Sequence, residues 1–484
     1  MVERHQRHRS PLQESEAVSR VLVLSHERLR KQMSGPSIRN WEVAGVLATE
    51  NEVVLAAPGP PERSSGRFTV TSYDELTLPR LVRESEVVLC TGFLVHEHPV
   101  LLEAKHLAID LYGPFQLENL HQGESLEPAQ HYQLALDIRG VLTKLLLAGD
   151  VFFAASDRQR DFWLGWLDAV GRINPLTHRA DPGYASLVRL MPLGLSPEPP
   201  RPGPARFRSV FPGIGPDDFL VLWGGGIWEW FDPITLIKAV DATKETVPNL
   251  RLVFGAMASP SEKVPAHRMA IEAKWLSDSL GLTGTRVFFN ESWVPYDERG
   301  QMYLESDLGV SVHKRDIETH FSFRTRVLDY LWAGLPIITT EGDSMADLVH
   351  AEDLGAVVAY DDVDSLAGAL TRLGTDPERR LACGARSTAA GRRFQWPVVT
   401  EPLLDYCRSP EQAPDRHAAR ARLAGGATPA AEPPDPPVRH RSEVTRVARK
   451  SIETLRRDGA SAAFAKGREY VKRRLRRSPA RNFP

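Results

Sequence analysis

Two Rossmann-like, doubly wound α/β domains facing a cleft are what this sequence predicts, on three observations. The chain has 484 residues, whereas single hydrophobic cores stop growing at roughly 250–300 residues. Its strand-like segments are continuous apolar runs rather than alternating ones, which means burial on both faces of a sheet. Those runs alternate with helix-like segments, stop at a Pro-rich stretch, and then start again. That alternation belongs to βαβ units and a parallel sheet. With 42% hydrophobic and 25% charged residues, wholesale disorder and fibrous repeats are excluded.

The first run is Arg20-Val-Leu-Val-Leu24. After a polar loop, Gly35-Pro36-Ser37 opens a helix carrying Ile38, Trp41, Val43 and Leu47; proline costs nothing in a first helical turn, where its missing N–H would be unpaired anyway. Strand-like runs follow at 52–57, 86–90, 105–110, 150–155 and 187–191. They complete a first domain over 18–195, with 1–17 read as a flexible leader. Ser196-Pro-Glu-Pro-Pro-Arg-Pro-Gly-Pro204 makes a hinge over 196–207. The second domain, 208–393, has its runs at 219–223, 250–254, 285–289, 307–312, 336–339 and 355–359. A short helix over 394–407 follows. An Ala/Pro/Arg-rich stretch over 408–437 cannot bury a core and reads as a linker. The final segment, 438–484, holds 15 Lys+Arg against 4 Asp+Glu.

Cys90, Cys383 and Cys407 are far apart and form no CxxC pair, which argues against a disulfide framework or a thiolate zinc site. No stretch approaches the ~18 consecutive apolar residues of a spanning helix. Met1–Ser15 is His/Arg-rich without an apolar core, unlike a secretory signal. Cytoplasmic, reduced chemistry is the expectation.

Two paired α/β domains suit a two-substrate reaction in the cleft, since ligands bind at the carboxyl ends of the strands. Gly224-Gly225-Gly226 directly follows a strand, where bare backbone either approaches an anion or makes a tight turn. No G-x-G-x-x-G and no Walker A motif is present. Asp232 and Thr235 suit capping of the next helix. The most informative stretch runs from His313 to Pro336. It crowds cations, carboxylates and small polar residues into a loop ahead of a helix. The helix N-terminus with Arg324 or Arg326 suits a diphosphate, and Asp329, three residues beyond Arg326, suits vicinal ribose hydroxyls. The plainer alternative is a solvated, salt-bridged helix start. Asp110, at the end of the 105–110 run before Tyr112-Gly-Pro-Phe115-Gln-Leu-Glu118, is either a strand-end cap or a group pointing into the cleft.

Glu318 in its loop, then Leu328-Asp329-Tyr-Leu-Trp-Ala-Gly334-Leu-Pro336-Ile-Ile-Thr-Thr340, resembles the signature of glycosyltransferase family 4, of GT-B fold. Gly35-Pro36 resembles that family's acceptor-side glycine loop, Trp293–Glu298 its lead into the signature, and 394–407 its terminal helix crossing back to the first domain. The resemblance covers roughly 20–407. Two departures stand out. Asp329 occupies the place of the second Glu of a Glu-x7-Glu pattern, and Phe321 stands eight residues before it. Trp228-Glu229-Trp230-Phe231 replaces the usual Arg and Lys after the glycine loop.

The resemblance implies a retaining transfer from a nucleotide-diphosphate sugar to a glycan or lipid-linked acceptor, in cell-surface polysaccharide biosynthesis. In front-face transfer the leaving phosphate oxygen takes the acceptor's proton, and the protein supplies positioning and electrostatics. On this reading Asp110 and Glu318 are catalytic. Gly225, Gly226, Trp228, Lys314, Ser322, Arg324, Arg326 and Asp329 bind the donor. Gly35, Pro36 and Arg39 bind the acceptor. No cofactor and no obligatory metal are expected. A nucleotide-sugar-binding subunit without catalysis, or a nucleotide-sugar epimerase of the same architecture, is the alternative.

The formal charge of −2 conceals an asymmetry. Residues 438–484 carry a net +11, leaving −13 for the rest. A basic segment with apolar residues at near-helical spacing suggests contact with an anionic membrane surface, peripheral on the inner face of the plasma membrane. Nucleic acid is not expected as a partner, because stacking aromatics are sparse there.

Overall fold

The computed structural model describes residues 19–257 and 267–423. The expected leader and basic tail lie outside them, as does 424–437 of the expected linker. The first sheet is built from β1 (Arg20–Leu24), β2 (Glu52–Pro58), β3 (Thr69–Tyr73), β4 (Val87–Thr91), β5 (His106–Asp110), β6 (Val151–Ala154) and β7 (Val188–Leu190). Its order is β3-β2-β1-β4-β5-β6-β7, with every pairing parallel. The second sheet comprises β8 (Phe219–Trp223), β9 (Leu250–Phe254), β10 (Val287–Phe289), β11 (Leu308–Ser311), β12 (Ile337–Thr340) and β13 (Gly355–Val358). Its order is β10-β9-β8-β11-β12-β13, again parallel throughout.

Both sheets reverse direction of growth at one place, between β1 and β4 and between β8 and β11. Those switch points open crevices at the carboxyl ends of the strands. The chain segments leaving β8 and β11 there are the Gly224–Gly226 loop and the segment 313–324, which holds the short helix Ile317–Phe321 and leads into the helix Thr325–Trp332. The expected two-domain α/β class is therefore present, with one strand more than the apolar runs suggested. Thr69–Tyr73 lies at the sheet edge with only Tyr73 buried, so it carries no continuous apolar run.

The strands at the switch points have no solvent exposure at Val21–Leu24, Val221, Leu222 or Val310. Helices cover both faces because the runs are apolar on both sides. The hinge is not loose. Backbone N–H groups of Arg206, Phe207 and Arg208 donate to the Glu305 carboxylate at 2.7, 2.8 and 2.8 Å. The helix Trp396–Arg408 returns to the first domain. Leu195 N–H donates to the Phe394 carbonyl at 2.8 Å, and Trp396 N–H to the Leu195 carbonyl at 3.0 Å. Arg189 pairs with Asp405 at 2.8 Å.

The expected linker does not begin at 408. Residues 409–423 pack on the first domain and end in the helix Arg416–Leu423. Asp415 pairs with Arg172 at 2.9 Å, both fully buried, and Arg416 pairs with Asp150 at 2.8 Å. Arginine stems and buried alanines, Ala413 and Ala419, hold this strap where large apolar residues are scarce. Among the described residues no helix is long and apolar enough to cross a membrane.

Candidate functional site

The cleft encloses about 350 Å³ between the two sheets' carboxyl ends. Its first-domain wall includes Glu27, Gly35, Pro36, Tyr112 and Glu118. Its second-domain wall includes Gly224–Gly226, Trp228, Tyr296, Arg299, Ser322, Arg324, Arg326 and Asp329. Interdomain bonds fix the walls: Tyr296 Oη donates to Glu42 at 2.9 Å, and Arg63 forms a bidentate pair with Asp297 at 2.7 and 3.0 Å.

The glycine loop is shaped by two constraints. Gly225 has φ +77°, a left-handed conformation that a side chain resists. Gly224 N–H donates to Tyr330 Oη at 2.8 Å, and the same hydroxyl reaches the Val310 carbonyl at 2.8 Å. Tyr330 thus stitches the loop to β11. Its helix, Thr325–Trp332, ends because Gly334 is left-handed at φ +66° and Leu335 N–H closes back on the Tyr330 carbonyl at 2.9 Å, a helix stop of the Schellman kind.

At the start of that helix the structure separates two arginines that look alike in sequence. Arg324 is neutralised by Glu318 in a bidentate pair at 2.9 and 2.7 Å. Ser322 Oγ donates to the same carboxylate. Asp343 adds a second anion 3.7 Å from Arg324 Nε and accepts from His313 Nε2 at 2.9 Å. Burial, then Arg324 and Arg326, push His313 well below the ordinary histidine range, so the imidazole is neutral. Arg326 has no carboxylate partner among the described residues. It donates to the Gly226 carbonyl at 2.9 Å and lies 4.0 and 4.4 Å from the centres of the Phe231 and Trp223 rings. Its Nη1 is buried with no hydrogen-bond partner. Burial lowers its pKa to about 10, which leaves it cationic at neutral pH. A buried cation with an open donor is a place for an anion.

Asp329 stands half-exposed on the cleft wall. It accepts from Tyr303 Oη at 2.9 Å and faces Arg299 at 3.5 Å. Arg299 is clamped between the rings of Tyr296 and Trp332, 3.9 and 4.6 Å from their centres. Such a carboxylate keeps lone pairs available for vicinal hydroxyls.

The expected residues are not all brought together. Gly35, Pro36, Gly225, Gly226, Trp228, Ser322, Arg324, Arg326 and Asp329 line the cleft. Asp110 and Arg39 do not. They form a buried ion pair, with Arg39 Nη2 2.9 Å from Asp110 Oδ1, and Arg39 also donates to the Met191 and Pro192 carbonyls at 2.7 and 2.8 Å. This pair ties the helix Gly35–Leu47 to β5 and to the segment after β7, so neither the catalytic reading of Asp110 nor the acceptor reading of Arg39 fits its position. Glu318 is saturated by Arg324 and Ser322 and lies behind the wall, which removes a direct catalytic contact. Lys314 is turned aside to the Glu229 carbonyl at 2.9 Å. Among the cleft residues to which the sequence pattern gives no role are Glu118 and Arg299. Glu118 lies within the strand-end segment that begins at Asp110, and Arg299 has an aromatic clamp without a local signature.

Residues 254–395 match a family model described as glycosyl transferase-like. A D-inositol 3-phosphate glycosyltransferase of Saccharomonospora viridis is 27% identical over 233 residues, 46% of this chain. The alignment spans 50% of that relative, about half its length. A sucrose-phosphate synthase from Thermosynechococcus elongatus superimposes with TM-score 0.58 at 14% identity, over 81% of this chain and 98% of that one. HepE from Anabaena, in complex with UDP-glucose, superimposes with TM-score 0.56 at 14% identity, over 81% and 100%. WaaG, a glycosyltransferase involved in lipopolysaccharide biosynthesis, gives 0.54 at 14%, over 80% and 100%. With paired parallel sheets and a cleft at their switch points, the chain has the GT-B fold, and these likenesses support a glycosyltransferase.

Proposed function

We propose that the chain is a retaining glycosyltransferase of family 4 type that moves a sugar from a nucleotide-diphosphate sugar to a glycan or lipid-linked acceptor. The observation that carries this reading is Arg326, a buried cation with an open donor beside the glycine loop, in a cleft that also presents Asp329. Its guanidinium suits the diphosphate, the bare backbone at Gly225 and Gly226 lets that group approach, and Asp329 suits the ribose. Arg324 acts differently from Arg326 in this reading. Held by Glu318 and Asp343, it lends rigidity to the wall and leaves the free positive charge to Arg326. Proton transfer runs from the acceptor hydroxyl to the departing phosphate oxygen, so the protein's contribution is positioning and charge stabilisation. In this scheme the arginine meets the developing charge. The basic segment 438–484 would bring the enzyme to an anionic membrane surface and a lipid-linked acceptor.

Calorimetry with UDP tests the reading. Arg326→Ala is expected to weaken UDP binding about 10- to 100-fold, the worth of roughly 1.5–3 kcal/mol for a hydrogen bond to a charged group. Arg326→Lys should restore part of it. Equal affinity in wild type and Arg326→Ala would remove the diphosphate from this position.

A further inference from the structure

We propose that Glu118 is a substrate-contacting carboxylic acid, which hydrogen-bonds a hydroxyl of the transferred sugar from the first-domain side of the cleft. The inference rests on reading the cleft as a sugar-nucleotide site and adds the group that recognises the sugar itself.

Three carboxylates line the cleft, and two are already engaged. Glu27 accepts from Ser34 and Ser37 at the start of the helix Gly35–Leu47. Asp329 holds Tyr303 and faces Arg299. The Glu118 carboxyl has no hydrogen-bond or ion-pair partner among the described residues. The other acids near it are spoken for: Asp110 by Arg39, and Glu318 by Arg324 and Ser322. Glu118 sits on the helix Phe115–Gln122, and Gly113, Pro114, Glu118 and Gln122 all line the cleft. A half-buried carboxyl left without a partner becomes costly once a ligand displaces the water beside it, and a sugar hydroxyl would satisfy it.

The charges facing Glu118 explain why it would bind as the neutral acid. The Glu318–Arg324 pair acts on it through space from the second-domain wall, and Tyr112 lies beside it on its own side. Burial, then the Glu318 carboxylate, raise its pKa to about 8, with Arg324 opposing. As a protonated acid it both donates and accepts, which suits a hydroxyl. Because the bound form is the protonated one, sugar recognition is present below about pH 8 and fades as pH rises through that value.

The test uses the full chain with UDP and UDP-glucose as probes, measured by calorimetry at about pH 6.5, 7.5 and 9 to bracket the titration, together with slow release of UDP from UDP-glucose. Glu118→Ala should leave UDP affinity within about twofold and lower UDP-glucose affinity and turnover about 10-fold, the worth of roughly 1.4 kcal/mol. Glu118→Gln, which keeps a donor and an acceptor without titrating, should retain sugar binding and lose its decline toward the alkaline end. Wild-type values for UDP and UDP-glucose that match those of Glu118→Ala at every pH overturn the proposal while leaving the diphosphate site intact. A wild-type chain that binds neither probe overturns the site reading, and this proposal with it.

Discussion

The charged side chains in and behind the cleft are sorted by whether a partner of opposite sign already holds them. Arg39 and Asp110 hold one another out of solvent, Arg324 and Glu318 do the same at the second-domain wall, and among the described residues Arg326 has only a carbonyl and two aromatic faces. Burial raises the Asp110 pKa, and Arg39 works against that. Asp110→Ala should therefore behave as a stability mutation. It strands a buried guanidinium, at a cost of about 3–5 kcal/mol, visible as a lowered midpoint in urea unfolding. UDP affinity measured below that transition should hold within about twofold, because the pair does not line the cleft. An intact midpoint with lost affinity would return Asp110 to the site. The position of Asp110 at a strand end was legible in the sequence, but its direction was not. The partner that turns it inward lies 71 residues away, and no local pattern encodes such a pair. Arg326 and Asp329 were legible because the short spacing along one helix carries both to the same cleft. Separating Arg326 from Arg324 required Glu318 and Asp343 to be seen in place.

At the scale of elements, the strands were readable because burial on both faces leaves continuous apolar runs, and the switch points follow from chain order alone. β3 escaped because an edge strand needs no such run, and the strap 409–423 escaped because it binds through arginine and alanine rather than large apolar residues. The hinge shows the same limit. Its prolines mark a boundary, but its anchor is Glu305, on the chain just before β11. Burial alone would raise the Glu305 pKa. Hydrogen bonds from Gln301 and from the N–H groups of Arg208, Arg206 and Phe207 outweigh it and hold the group below its usual value. A depressed carboxylate stabilises the fold above its unfolded pKa, about 4.3, and that contribution is lost as pH falls through the lower folded value. Glu305→Gln should thus lower thermal stability at neutral pH by about 1–3 kcal/mol, because an amide nitrogen in place of one carboxylate oxygen leaves two of its donors without an acceptor. The gap between variant and wild type should narrow in melts taken progressively below about pH 4.3. A gap unchanged well below that value would mean that the ionised carboxylate is not what holds the hinge.

Charge is distributed unevenly along the chain, and that asymmetry bears on where it works. Residues 438–484 carry 15 basic against 4 acidic side chains, on a chain whose total is −2. A segment of that kind is attracted to anionic lipid by about 1 kcal/mol for each Lys or Arg near the surface, and the acidic remainder would be repelled. The truncation that isolates the effect has to respect the strap. Ending the chain at Arg408 would delete Asp415 and leave Arg172 buried without its partner, so lost binding could come from misfolding. Ending it after Thr428 keeps the helix Arg416–Leu423 and removes the whole basic segment. Full-length protein should co-sediment with phosphatidylserine-containing vesicles at low ionic strength, and 1–428 should remain in the supernatant with the same UDP affinity. Raising the salt until the screening length falls to a few Å should release the full-length chain. Equal sedimentation of the two forms would place any membrane contact on the two-domain body and strip the tail of that role.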